Sequence, residues 1–296
     1  MEAFLHNMEW VIVLRSDLLT MIFEGFTSLG YSSFLLIFLP VGFWILDKKM
    51  FMQIGLLLIL SALLNAWLKD LFQDPRPDPI YQLDPMVGDS WGFPSGHAQI
   101  ATVLWMFIAW EIRQKWSWIL CSVIFAGICF SRLYLGVHDV EDILGGIALG
   151  FVTLILLYFL KTDRFKWLKT IPPVCQLLIL IAVEVNIFIT WPGKTPNVYY
   201  GFGTILVGFC VGVIIDQKGI HYQKHSKILR QVIAGFIGVL GLVVLRKGMS
   251  LAVNNFIPDN LTVNIVQAFI VGLYMTAIAP WFLIKVKLAS QKVTGS

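Results

Sequence analysis

The sequence predicts an all-α integral-membrane protein, a polytopic bundle of about nine transmembrane helices preceded by an amphipathic N-terminal helix. Three observations predict it. The chain is 57% hydrophobic and only 14% charged, with a mean hydropathy of +0.77, whereas a soluble domain is roughly 25% charged. So few charges cannot cover the surface of a soluble fold, and lipid must supply most of the exterior. Apolar stretches of spanning length recur from residue 26 to residue 284. Lys and Arg gather in alternate connections between those stretches.

Residues 1–25 open the chain. Phe4, Met8, Val11, Ile12, Arg15, Leu18, Leu19 and Ile22 recur at helical spacing, with His6, Glu9, Ser16, Asp17 and Thr20 between them. This is an amphipathic helix, lying in the interface or packed on the bundle. It is not read as a signal peptide, because the first basic residue is Arg15. The candidate spans follow at 26–46, 50–70, 96–112, 116–134, 139–160, 172–191, 197–215, 228–246 and 262–284. The third is short, and the ninth contains Pro280, which a membrane helix tolerates. The long connections are 71–95, polar and Pro-rich, 216–227, basic, and 247–261. Residues 26–160 form one predicted unit. Residues 161–296 form a C-terminal transmembrane extension to which the sequence gives no role.

If each stretch crosses once, the connections alternate sides. Lys48, Lys49, Arg113, Lys115, Lys161, Arg164, Lys166, Lys169, Lys218, Lys224, Lys227, Arg230, Lys285, Lys287 and Lys292 then share one side. The positive-inside bias puts that side in the cytoplasm. The 71–95 loop and the 135–138 turn therefore face the periplasm, cell exterior or organelle lumen. The net charge of +4 has this explanation, and no basic stripe points to nucleic acid as a partner. Cys121, Cys129, Cys175 and Cys210 fall in apolar runs without a Cys-x-x-Cys pair. They read as buried small apolar residues, not as a zinc site or disulfides.

Three polar clusters stand at predicted helix ends, where charge is costly. Lys69 ends the second span and precedes Arg76-Pro77. Pro94-Ser95-Gly96-His97 begins the third. Ser131-Arg132 ends the fourth, and His138 with Asp142 begins the fifth. The alternation of spans opens all three on one side. Three cations and two imidazoles at one surface call for an anionic guest, and phosphate is the natural one. Lys69, Arg76 and Arg132 would neutralise its oxygens. Ser95 and the N–H groups of Gly96 and His97 would donate from a helix start. His138 and Asp142, four residues apart, share a helix face. The carboxylate can accept from one ring nitrogen and leave the other as a nucleophile. His97 can protonate a leaving alkoxide and later activate water.

At these residues the sequence resembles the type 2 phosphatidic acid phosphatase family, which also includes vanadium haloperoxidases and glucose 6-phosphatase. The family signature is Lys, six residues, Arg-Pro; then Pro-Ser-Gly-His; then Ser-Arg, five residues, His, three residues, Asp. Here it reads Lys69…Arg76-Pro77, Pro94-Ser95-Gly96-His97 and Ser131-Arg132…His138…Asp142, without departure. The likeness covers about residues 50–160. It implies cleavage of a phosphomonoester or pyrophosphate through a phosphohistidine on His138, with no metal and no cofactor, inside a helical core.

The expected partner is a phosphorylated membrane lipid in the bilayer. Transfer of the phosphoryl group to a second lipid or a sugar, and a sugar-phosphate substrate, stay open. So does a phosphate- or lipid-binding transporter without catalysis. Asp74, Asp78, Asp84 and Asp89 read as a solvated cover over the site, and Asp139 and Glu141 as solvent-facing residues at a helix start. His6, His221 and His225 have no catalytic context. Glu184 and Asn186 read as intramembrane polar residues bonded to a neighbouring helix.

Overall fold

The computed structural model describes residues 5–192, 197–256 and 261–291. Phe4 and Lys292 lie outside them. The helices are α1 (Glu9–Ile12), α2 (Asp17–Ser28), α3 (Ser32–Leu46), α4 (Lys48–Phe72), α5 (96–112), α6 (Lys115–Tyr134), α7 (Val140–Lys161), α8 (Pro173–Ile189), α9 (Tyr199–Ile220), α10 (Ile228–Phe256) and α11 (Leu261–Lys285). The chain is a multi-pass membrane protein. Large apolar side chains such as Phe151, Ile155 and Phe159 on α7, and Leu229, Phe236 and Leu240 on α10, are exposed. Water would penalise that surface and lipid does not.

Each of the nine predicted stretches contains helix, but 26–46 is broken at residues 29–31, and the nine are not equivalent. Among the described residues, six helices (α4, α6, α7, α9, α10, α11) are long and apolar enough to cross a bilayer. A seventh crossing is formed if α2 and α3, bent by 54° at their junction, act as one. The helices at 96–112 and Pro173–Ile189 are shorter. Residues 247–256, expected in a loop, continue α10, and 257–260 lie outside the described residues.

The N-terminal segment is not one helix. Ser16 adopts an extended conformation and its side chain accepts from the Leu19 N–H, so a new helix starts at Asp17. Nor does the segment only skim an interface. Met8 and Val11 are buried against Tyr134, Leu135 and Val137. Arg15 donates to the carbonyls of Tyr81 and Tyr134.

The chain divides into two compact units, Met1–Leu35 with Leu60–Lys166, and Leu36–Ile59 with Trp167–Ser296. In the first, α5 lies close to α7 because Gly146 and Gly150 face it. A side chain at Gly146 would run into the Ser95 carbonyl and Ala98. A second tie is the hydrogen bond from Ser95 N to Asp142 O, 2.9 Å. A buried amide network fixes the start of α5 to α4. Asn65 donates to Pro94 O (3.0 Å) and Gln99 Oε1 (2.8 Å), and Gln99 donates to Ser61 Oγ (2.6 Å). Gly136, with φ +70°, makes the α6–α7 turn, and a Cβ there would strike the Tyr81 carbonyl.

In the second unit, Gly208 and Gly272 bring α9 and α11 into backbone contact. Strands β1 (Tyr222–Lys224) and β2 (Ala289–Gln291) form an antiparallel pair. The basic 216–227 connection is thus partly ordered. Asp216, buried, pairs with Lys48 and accepts from Tyr222 N at 2.9 Å. Cys121 and Cys129 are buried, but Cys175 is exposed and Cys210 half-buried, so burial does not extend to all four. Glu184 is buried, and its backbone carbonyl, not its carboxylate, accepts from Tyr199. Asn186 bonds through its carbonyl to Thr190 of its own helix region.

Asp216→Ala leaves the Lys48 ammonium and the Tyr222 N–H without their acceptor. It is expected to lower stability by about 2 kcal/mol, read as a fall in the thermal unfolding midpoint in detergent. An unchanged midpoint would show that the pair contributes nothing.

Candidate functional site

The first unit gathers the three polar clusters at neighbouring helix ends. Lys69 lies in the last turn of α4, Arg132 in the last turn of α6. Ser95 is the N-cap of α5, and Asp142 lies in the first turn of α7. His138 sits in the turn between α6 and α7, only 2% exposed in its side chain.

The His138 ring is held from both sides. Nδ1 is 2.7 Å from Asp142 Oδ2, and Nε2 is 3.1 Å from an Arg76 Nη1. A guanidinium can only donate hydrogen bonds. Nε2 is therefore the acceptor, and the ring proton is on Nδ1, donated to Asp142. Burial, then the charges of Arg76, Lys69 and Arg132, hold the His138 proton affinity well below its ordinary value. The ring is neutral with a lone pair on Nε2.

Asp142 is fixed in turn by a capping box. Asp139 Oδ1 accepts from Asp142 N at 3.0 Å, and Asp142 Oδ2 accepts from Asp139 N at 3.4 Å. Asp139 is thus a buried N-cap, not the solvent-facing residue expected, while Glu141 is half exposed. The Asp-x-x-Asp spacing was the available signal.

Each cation has oxygen partners, most of them from the 71–95 loop. Lys69 donates to the carbonyls of Trp91 and Gly92. Arg76 donates to Ser90 O (2.7 Å), Ser90 Oγ (2.9 Å) and Val137 O (2.9 Å). Arg132, buried, donates from Nη1 to Asp84 Oδ2 at 2.7 Å and to Thr27 Oγ1 at 2.5 Å. Asp84, read as part of a solvated cover, is therefore a buried ion-pair partner. Burial disfavours its charge, but hydrogen bonds from Tyr31 and Arg132 outweigh this and hold it below the usual carboxylate range. Tyr31 also meets the His97 ring edge-on, with centroids 4.9 Å apart. Tyr31 sits beside the break between α2 and α3, which brings Gly30 and Tyr31 against His97. No local sequence pattern marks Asp84 or Tyr31, because their partners are distant in the chain.

Among the described residues, Ser95 Oγ, His97 Nε2, Arg132 Nε and Asp142 Oδ1 are buried with no hydrogen-bond partner. Buried polar atoms are normally paired, so three potential donors here suit an oxygen-rich guest. Gly96, at the start of α5, presents backbone rather than a side chain, and a Cβ there would stand 3.1 Å from Asn65 Oδ1. Among the described residues, no three His, Cys, Asp or Glu side chains stand where they could hold a metal ion. His6, without catalytic context in the sequence, hydrogen-bonds to Asp139 at 2.6 Å and stands within ion-pair distance of Glu141, at 3.2 Å.

The fold and site define a polytopic membrane protein with a buried histidine–carboxylate pair inside a ring of cations fit for a phosphate. Residues 51–166 match the PAP2 superfamily, and residues 200–291 match the PAP2 superfamily phosphatase, transmembrane extension. Phosphatidylglycerophosphatase B of Bacillus subtilis (strain 168) is 35% identical over 178 residues, 52% of this chain and 82% of that protein. The chain belongs to the PAP2 superfamily of membrane phosphatases. Sphingosine-1-phosphate phosphatase 2 of Mus musculus is 30% identical over 175 residues, 56% of this chain and 49% of that protein. The chain thus spans about half the length of that relative. A crystal structure of a transmembrane PAP2 type phosphatidylglycerolphosphate phosphatase from Bacillus subtilis aligns with 30% identity and a TM-score of 0.45. That alignment covers 53% of this chain and 85% of the other.

Asp84→Ala leaves the buried Arg132 guanidinium without its counter-charge. The expected cost is about 3 kcal/mol of stability. Adding Arg132→Met should recover part of that loss, because the stranded charge goes too. Additive losses in the double variant would contradict the pairing.

Proposed function

We propose that this protein is a membrane lipid phosphatase that hydrolyses a lipid phosphomonoester or pyrophosphate through a phosphohistidine on His138. The observation that carries the reading is the His138 ring, with its proton committed to Asp142 and its lone pair on Nε2. Nε2 attacks phosphorus as the P–O bond to the lipid breaks. His97 gives a proton to the departing alkoxide. A phosphate dianion beside His97 favours the protonated ring that this step needs. In the second step His97 takes a proton from water, the water oxygen attacks phosphorus, and the P–N bond breaks to release inorganic phosphate and restore His138.

Lys69, Arg76 and Arg132 neutralise the phosphoryl oxygens, aided by Ser95 and the N–H groups at Gly96 and His97. With three cations in that role, the reaction needs no metal and no cofactor. Asp142 orients His138 and stabilises the charge it gains.

Catalysis is assigned to residues 26–160, and no role is assigned to the 161–296 extension. The positive-inside distribution supports a site on the extracytoplasmic face. There the phosphate stays in water while the tail stays in lipid. The names of the relatives, sphingosine-1-phosphate phosphatase 2 and phosphatidylglycerophosphatase B, support a lipid phosphate as substrate.

Purified protein in detergent with a chelator is expected to release inorganic phosphate from at least one of these lipid classes. His138→Ala should abolish release while the thermal midpoint is kept, and Asp142→Asn should reduce it on the order of 10³-fold or more. Turnover by the folded His138 variant would overturn the nucleophile.

The pH profile follows from the same pair. Protonation at Nε2 blocks attack. Because burial and the cations depress the His138 proton affinity, that block sets in only at lower pH. The acid limb of kcat/KM should therefore lie below the ordinary histidine value of 6.5. A limb above that value would contradict the depressed affinity.

A further inference from the structure

We propose that His6 is a positioning residue of this reaction, acting through Asp139 to set the charge and orientation of the Asp142–His138 pair. The inference rests on the role given to His138 above.

His6 is anchored where it stands. Two residues later Met8, and then Val11, are buried against Leu135 and Val137, in the turn that leads into His138. The His6 ring is 50% exposed, with Nδ1 2.6 Å from Asp139 Oδ2 and Nε2 3.2 Å from Glu141 Oε2. A ring hydrogen-bonded to one carboxylate and within ion-pair distance of a second favours its positive charge. The bond to Asp139 is the main cause of its raised proton affinity, opposed by burial and assisted by the charges of Asp139, Glu141 and Asp74. Asp74 comes from the 71–95 loop, and Glu9 and Asn7 line the same opening as His6. The other cation of the segment, Arg15, is directed away to the carbonyls of Tyr81 and Tyr134.

Asp139 uses both oxygens. Oδ2 takes the His6 proton, and Oδ1 accepts from Asp142 N at 3.0 Å. Asp142 Oδ2 in turn accepts from Asp139 N and from His138. A continuous series of hydrogen bonds therefore runs from the half-exposed His6 to the buried His138. It also carries an electrostatic consequence. The Asp139 carboxylate lies one residue from His138 and favours a proton on that ring. The His6 imidazolium offsets this charge. Its proton affinity is raised and that of His138 is depressed, so His6 is charged throughout the range in which His138 loses its proton.

Removing the His6 charge should raise the proton affinity of His138 and move the acid limb of kcat/KM to higher pH. A merely structural role would lower the rate at all pH values without moving the limb. The test uses the full-length protein with His6→Gln, which keeps a donor but no charge, and His6→Lys, which keeps the charge. Asp139→Asn, also a good N-cap, is combined with each. His6→Gln should shift the limb upward by about half a pH unit or more, and His6→Lys should leave it near the wild-type position. In the Asp139→Asn background, where His6 loses its anchoring bond and the main cause of its charge, the His6→Gln shift should vanish. An unmoved limb in His6→Gln, a shift shared by His6→Lys, or a shift that persists without the Asp139 charge would overturn the proposal. The same variants are read by NMR titration of ¹⁵N-labelled His138. If the wild-type protein hydrolyses no lipid phosphate, the functional reading fails. The NMR shift still decides the coupling of His6 to His138.

Discussion

A guanidinium has no lone pair to offer, and an ionised carboxylate has no proton to give. Between Arg76 and Asp142, His138 has one arrangement of its ring proton, and the rest of the first unit serves to keep it there. The N-cap Asp139 fixes Asp142, and the Ser95–Asp142 backbone bond ties α5 to the same turn. Gly146 allows α5 and α7 to approach closely enough for that bond to form. A bulkier residue at Gly146 would therefore disturb the histidine without touching it.

The cations impose the complementary constraint. Buried or half-buried positive groups at membrane helix ends require oxygen partners. The protein supplies them from the 71–95 loop: the Asp84 carboxylate, the Ser90 carbonyl and hydroxyl, and the Trp91 and Gly92 carbonyls. A phosphate entering the ring would exchange some of these oxygens for its own, so the net gain is smaller than three bare cations would give. Such an exchange suits turnover, because the product phosphate must leave again.

Much of this was legible in the sequence. Apolar length marked the helices, and the three clusters marked Lys69, Arg76, Ser95, His97, Arg132, His138 and Asp142 as residues at helix ends. Those features are local or periodic, so they survive reduction to a string. What stayed hidden depends on contacts between distant segments. Asp84 looked like one of several loop acids, and its pairing with Arg132 spans 48 residues. His6 and Asp139 are 133 residues apart. The break at Ser16 also escaped, because apolar residues on both sides of it keep a helical period. The π turn Thr102–Met106 within α5 also escaped, because hydropathy does not register it.

The account turns on a covalent bond between His138 Nε2 and phosphorus. The direct measurement is rapid alkaline quench of the protein during turnover with a ³²P-labelled lipid phosphate, followed by mass spectrometry of the labelled peptide. The account predicts an acid-labile, alkali-stable phosphoryl group on His138 that appears and decays at least as fast as phosphate is released. Turnover with no label on the protein, or with the label on another residue, would contradict it.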